Sequence, residues 1–378
     1  MNKSWCCAGP LCCYCMCGIC MRCCGTSHQH HIRIAYLIIT AIAVFFGLIF
    51  LYYGKELMLP WEHYGFNCNG MKADACYGIN AVYRETFAIC IFYIFMALMS
   101  RQNSKWFIEF NNGCWGLKLI SISTIFIFTL FIPYEFFDIY KEFARYISII
   151  YLIIQLSIYV DLSYTWSDNW TKIYEQSNFT SYKYSLLFFF SGIFWVISLV
   201  TTVLNYYWFS KDTGCNLEVF LITFTLSLGI VYTFISLTNI VEYGSLLTSS
   251  IVNLYCVYLC WDGMTDDPNE KCNTWTDAQD TFVEIIIGIS IVSIALSYVC
   301  FRKREKIKEQ SILRILAESI LAKIDPNEDE DIFQEMGKSK KLFPFYMFMA
   351  LASVYLSMLL TNWGSANVTN NSAKTYDE

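Results

Sequence analysis

The chain has 378 residues, of which 56% are hydrophobic and only 15% charged, and its mean hydropathy is +0.41. That balance excludes a soluble domain, and a net charge of -6 offers no basic surface for nucleic acid. An all-α polytopic membrane protein with about nine transmembrane helices is the class that remains.

Half of the 18 cysteines fall between Cys6 and Cys24, within a tail that spans residues 1–31. It is not a secretory signal peptide, because it lacks a continuous apolar stretch followed by a small-residue cleavage site. Three readings stay open. Cys17-x-x-Cys20-x-x-Cys23, with His28, His30 and His31 close behind, has the spacing of a metal site but crowds its ligands. Cys20, Cys23 and Cys24 lie beside the first span, where palmitate is commonly attached. The third reading is an apolar tail that packs under the bundle. No metal or cofactor is expected.

Apolar runs then predict nine crossings in a membrane domain over 32–363: Ile34–Tyr53, Ala81–Ser100, Trp115–Ile132, Phe143–Tyr174, Leu186–Tyr207, Leu217–Leu237, Leu246–Trp261, Phe282–Phe301 and Phe343–Thr361. Tyr83, Arg84 and Glu85 are expected at the interface, where the second of these begins. The fourth is too long for a bilayer. At about 1.5 Å per residue it reaches about 48 Å, against a hydrocarbon core of about 30 Å. No Gly or Pro interrupts the chain from Tyr134 to Ser191, so this helix must tilt or project. Ser157, Asp161, Tyr164, Thr165 and Asp168 fall on one side of it, and Gln155 and Tyr159 on another.

Cations orient the chain. Arg302, Lys303, Arg304, Lys306 and Lys308 leave the eighth span, and Lys338, Lys340 and Lys341 enter the ninth, which places the loop 302–342 in the cytoplasm. Counting back places the amino terminus on the same side. An odd number of crossings puts the tail 364–378 outside, where the sequons at Asn367 and Asn370 are open to glycosylation. Cys68, Cys76, Cys215 and Cys272 then face the oxidising side, and two disulfides are expected among them. In the loop, Ile312, Leu313, Leu316, Ile320 and Ile324 predict a short helix on the membrane surface.

A charged or polar group that crosses the membrane beside such helices needs a polar furrow, because a charge in bare hydrocarbon costs several kcal/mol or more. Ser157, Asp161, Tyr164 and Thr165 supply one wall, and Ser245, Ser249 and Asn253, at i, i+4 and i+8 on the seventh span, supply another. Arg84 is a further candidate for phosphate. The competing reading is helix packing by the same hydroxyls and amide. Catalysis finds no support. Asp262-Gly263 continues as Met264-Thr265-Asp266-Asp267 rather than as a phosphotransferase motif, no P-loop is present, and His28, His30, His31 and His63 all lie outside the spans.

Several runs, in order and spacing, carry a resemblance from Cys6 to Trp363. They are Ala81-Val82-Tyr83-Arg84, Asn112-Gly113 with Trp115 and Lys118, Phe131-Ile132-Pro133, and Gln155-Leu156 with Asp161, Trp166 and Trp170. Ser249-Ser250-Ile251-Val252 with Tyr255, Cys272-Asn273 and Leu360-Thr361-Asn362-Trp363 follow. In these the chain resembles the serine incorporator (SERINC) family. The resemblance implies two helical subdomains divided by a long diagonal helix, onto which 143–174 falls. It also implies a role in the traffic or synthesis of phosphatidylserine and sphingolipids, with ATP-independent scrambling as the activity. Plasma membrane or endomembranes are the expected location. The family has a further helix after the Thr-Asn-Trp, whereas only the polar run 364–378 follows here, so that last helix is expected to be absent. A structural or scaffold role, as a lipid-binding subunit of a larger membrane complex or an organiser of lipid-synthesising enzymes, is the alternative; the partners expected are phospholipids, with a homo-oligomer or partner subunits of a larger complex.

Overall fold

The computed structural model describes residues 28–58, 73–101, 110–111, 113, 115–176, 182–211, 214–238, 245–265, 272–273, 281–302 and 342–364. Among them are nine α-helices and no strand: α1 His28–Met58, α2 Ala73–Arg101, α3 Trp115–Leu130, α4 Tyr134–Gln176, α5 Lys183–Phe209, α6 Asn216–Leu237, α7 Leu246–Thr265, α8 Thr281–Phe301 and α9 Phe343–Leu360. All except α3 and α7 are long and apolar enough to cross a membrane. Helix α3 has 16 residues, and α7 carries Thr248, Ser249, Ser250 and Asn253 near its start. The amino-terminal cysteines, Cys68, the surface helix expected over Ile312–Ile324, and the sequons at Asn367 and Asn370 lie outside the described residues.

Helices α4 and α2 begin nine and eight residues earlier than their apolar runs suggest. Helix α4 starts at Tyr134, directly after Pro133, and its 43 residues extend over about 65 Å. Its charged first turns are helical too, with Arg145 paired to Glu142 at 3.1 Å. Helix α2 starts at Ala73, which moves Arg84 and Glu85 from the expected interface to the middle of a 29-residue helix. Helix α1 changes direction at Tyr53, whose φ of -115° and ψ of 15° are not helical.

The described residues form two compact units. One comprises α1, α2, α3, α4 as far as Tyr151, α8 from Val292, and α9. The other comprises α4 from Leu152, α5, α6, α7, and α8 as far as Ile291.

In the first unit, α2 packs against α1, α3 and α9. Helix α9 is its central element, with 78% of its apolar window buried. The approach of α1 to α2 rests on two glycines: a Cβ added at Gly54 would lie 2.5 Å from Gly78 Cα, and one at Gly78 would lie 2.5 Å from the Leu51 carbonyl oxygen. Lipid is as apolar as leucine, so membrane helices gain contact by such close backbone approach rather than by hydrophobic exclusion. Polar residues are gathered inside. Tyr36 and Tyr346 both donate to Asn111 Oδ1, and the fully buried Lys118 ammonium donates to the Asn111 carbonyl at 2.8 Å. That ammonium lies 3.5 Å from the centre of the Trp115 ring, so the indole face compensates part of its lost hydration.

In the second unit, α7 packs against α5 and α6. Only 11% of the apolar window of α6 is buried, and Leu217, Phe220, Phe224 and Phe234 stand exposed on it. Such a face has lipid as its solvent.

Candidate functional site

The half of α4 that belongs to the second unit has two unlike sides. Gln155, Tyr159 and Ser163 recur every fourth residue and are buried. Tyr255 of α7 donates to Gln155 Oε1 at 3.3 Å, Tyr159 donates to the Ile291 carbonyl at 2.6 Å, and the Tyr159 and Tyr255 rings meet at 5.0 Å. Trp166 and Trp170 extend this side onto Phe190 of α5, at 5.5 and 6.0 Å. This side of the helix is the packed one.

Ser157, Asp161, Tyr164 and Thr165 occupy the opposite side of the helix and are all half-buried. Ser157 returns its hydroxyl hydrogen to the Ile153 carbonyl at 3.1 Å, which leaves its lone pairs outward. One turn further on, the Asp168 carboxylate holds Lys172 at 2.5 Å. A run of hydroxyls and two carboxylates thus lines the side of α4 opposite Gln155, Tyr159 and Ser163.

The second expected wall has another structure. Ser245 Oγ accepts the Thr248 N–H at 3.1 Å and so caps the start of α7. Ser249 is buried and donates to the Leu246 carbonyl at 3.0 Å. Asn253, 1% exposed, donates from Nδ2 to Ser198 Oγ of α5 at 2.6 Å. Its Oδ1 faces Gly229 of α6, where an added Cβ would lie at 1.9 Å. These residues cap one helix and join three. They do not stand opposite Asp161, because α7 meets α4 through Tyr255 on the far side of that helix.

Arg84 lies in the first unit, 0% exposed. It donates to the carbonyls of Thr129 and Ile132, the latter at 3.0 Å, with its guanidinium carbon 4.4 Å from the centre of the Phe137 ring. The side chain expected at lipid phosphate therefore closes the open carbonyl end of α3.

Cys215 and Cys272 are joined in a disulfide across 57 residues. Cys76 is also disulfide-bonded. Buried Glu218 lies beside the Cys215–Cys272 bridge, but with both sulfurs engaged the group offers no thiolate to a metal.

Long apolar helices in two units, with polar groups bonded inward and apolar faces outward, define an integral multi-pass α-helical membrane protein. A family model described as Serine incorporator (Serinc) matches residues 5–378, and the chain belongs to that family. It is 26% identical over 392 residues to a "Probable serine incorporator" of Nematostella vectensis, covering 92% of this chain and 83% of the relative. "Serine incorporator 3" of Bos taurus is 23% identical over 415 residues, covering 93% and 87%. "Serine incorporator 2" of Homo sapiens is 23% identical over 420 residues, covering 97% and 90%.

Proposed function

We propose that this chain carries phospholipids between leaflets passively, without ATP and without catalysis, and thereby serves phosphatidylserine and sphingolipid metabolism. The observation that carries the reading is the half-buried polar face Ser157, Asp161, Tyr164 and Thr165 on α4. A carboxylate at the centre of a membrane helix costs about 2.5–3.5 kcal/mol on insertion scales. A headgroup ammonium or hydroxyl is a polar ligand that such a half-buried stripe can meet. Acyl tails remain against the apolar flanks while the headgroup follows the stripe. The name carried by the relatives, serine incorporator, agrees with serine-derived lipids as the cargo.

The amino terminus and the loop 302–342 lie in the cytoplasm, and the tail 364–378 lies in the lumen or outside the cell. The compartment is the plasma membrane or an endomembrane. The positive charges that flank α8 and α9 support this orientation. Cys20, Cys23 and Cys24 carry palmitate, and Asn367 and Asn370 carry glycans.

The test uses the purified full chain in liposomes that contain a fluorescent-headgroup phosphatidylserine, with a membrane-impermeant quencher added outside. Signal loss well past half, relative to empty vesicles, is the expected result. Loss that stops near half, from folded protein, would replace this reading with that of a lipid-binding scaffold subunit, and stoichiometric partners on purification would support the replacement.

A further inference from the structure

Arginines from three helices surround the start of α9. Arg33 of α1 has its guanidinium carbon 5.7 Å from the centre of the Phe345 ring, and that of Arg101, the last residue of α2, lies 5.5 Å from the centre of the Phe343 ring. Phe343 and Phe345 are the first and third residues of α9. Arg33 also donates to the Val299 carbonyl of α8 at 3.5 Å, and the Cys300 thiol donates to the Arg33 carbonyl at 3.6 Å. These bonds set α1 beside the end of α8, where the Arg302 guanidinium carbon lies 5.6 Å from the centre of the Tyr298 ring. All of these residues belong to the first unit.

Each guanidinium is within reach of cation–π attraction from its ring. The N–H bonds of a guanidinium lie in its own plane, so contact with a ring does not consume its donors. The charge at this end is one-sided. Among the described residues, the helix ends that meet here, 32–36, 94–101, 295–302 and 342–349, hold these three arginines and no aspartate or glutamate. Such a cluster draws an anion, and the guanidinium fork matches the oxygens of a phosphate.

The surroundings decide which phosphate. Ile38, Leu98 and Phe301, each within two turns of one of these arginines, are 50%, 56% and 56% exposed. Apolar surface directly beside a phosphate-binding edge suits an acyl chain, which inorganic phosphate lacks. The orientation proposed above places this end at the cytoplasmic leaflet, which is the anionic one. We propose that Arg33, Arg101 and Arg302 form an interface that selects anionic phospholipids by their phosphates around the start of α9. It needs no movement of lipid and does not depend on the stripe on α4, so either reading can fail without the other.

In the experiment, the purified full chain in an uncharged maltoside detergent receives equal amounts of phosphatidylglycerol and phosphatidylcholine, and native mass spectrometry counts the lipid that stays bound. Phosphatidylglycerol carries the phosphate and the net charge but no serine, which separates this interface from a path for serine-derived cargo. The wild type is expected to retain phosphatidylglycerol about tenfold or more over phosphatidylcholine. The triple variant Arg33→Gln, Arg101→Gln, Arg302→Gln is expected to retain the two lipids alike, and Lys55→Gln, near the other end of α1, to keep the wild-type preference. A wild type without preference, or a triple variant that keeps it, overturns the proposal. Displacement of phosphatidylglycerol by an equal concentration of inorganic phosphate would assign free phosphate and overturn the choice of lipid.

Two further readouts serve should the triple variant fail to fold. Arg101 is exposed, so Arg101→Gln alone removes one charge without opening the core, and its preference is expected to fall below that of the wild type. The unmodified chain in rising ammonium acetate is expected to lose its preference as the salt screens the guanidinium charges. A preference unchanged by both would contradict an interface made of these arginines.

Discussion

Asn253 of α7 donates to Ser198 of α5 at 2.6 Å while its Oδ1 fills the space beside Gly229 of α6. One amide thereby joins three helices. Interhelical bonds of this kind contribute about 0.6 to 2 kcal/mol, so Asn253→Ala is expected to lose that much in chemical unfolding from mixed micelles. Gly229→Ala drives the amide from its place and costs about the same. The double variant is expected to be less destabilised than the sum, by about 0.5 kcal/mol or more. Strict additivity would show that the two side chains do not share a site.

Gly54 and Gly78 meet backbone rather than the end of a side chain, at 2.5 Å in each direction. Backbone cannot turn aside, so Gly54→Ala or Gly78→Ala must separate α1 from α2. A loss of about 1–3 kcal/mol is expected for either, read as a lowered thermal midpoint of the purified protein. A midpoint at the wild-type value would mean that the helices are further apart than described.

Arg84 satisfies two carbonyls with a planar fork, a geometry that a lysine ammonium does not reproduce. Hydrogen bonds to a charged group contribute about 1.5–3 kcal/mol, and Arg84→Lys is expected to lose about one of them. Lipid movement per folded molecule should stay at the wild-type rate. If Arg84→Lys keeps its stability but slows lipid, Arg84 belongs to the lipid path after all.

The Cys215–Cys272 bridge closes a loop of 57 residues, for which chain entropy gives about 4 kcal/mol. Cys215→Ser is expected to lower stability by up to that amount. In the unfolded wild type, neither cysteine should take up a maleimide until reductant is added. Labelling of Cys215 without reductant would contradict the bridge.

The nine helices were legible because each is a long apolar run with few charges, and the described helices overlap all nine runs. Their beginnings were less so. Residues 73–82 and 134–142 are too polar to register as membrane-spanning, yet no Gly or Pro stops either helix after its first turns except Gly78, which serves a close contact. Glu85 was read as interfacial for that reason.

Which side of a helix faces inward was hardly legible at all. Lipid and protein interior are equally apolar, so periodicity does not separate Tyr159 from Asp161, and a seryl stripe such as Ser245–Ser249–Asn253 looks alike whether it binds headgroups or joins helices. Gln155 carried a usable signal, since an amide in an apolar run requires an interior partner, and it found Tyr255.

The polar face of α4 is the centre of the functional account, and Asp161 is its one carboxylate among Ser157, Tyr164 and Thr165. The most direct measurement is the rate of headgroup quenching in vesicles that hold equal amounts of folded wild type or Asp161→Ala. The wild type is expected to pass well beyond half of the signal, and Asp161→Ala, with its thermal midpoint unchanged, to be slowed about tenfold, the equivalent of about 1.4 kcal/mol in the barrier. An Asp161→Ala rate equal to that of the wild type would remove this face from lipid movement.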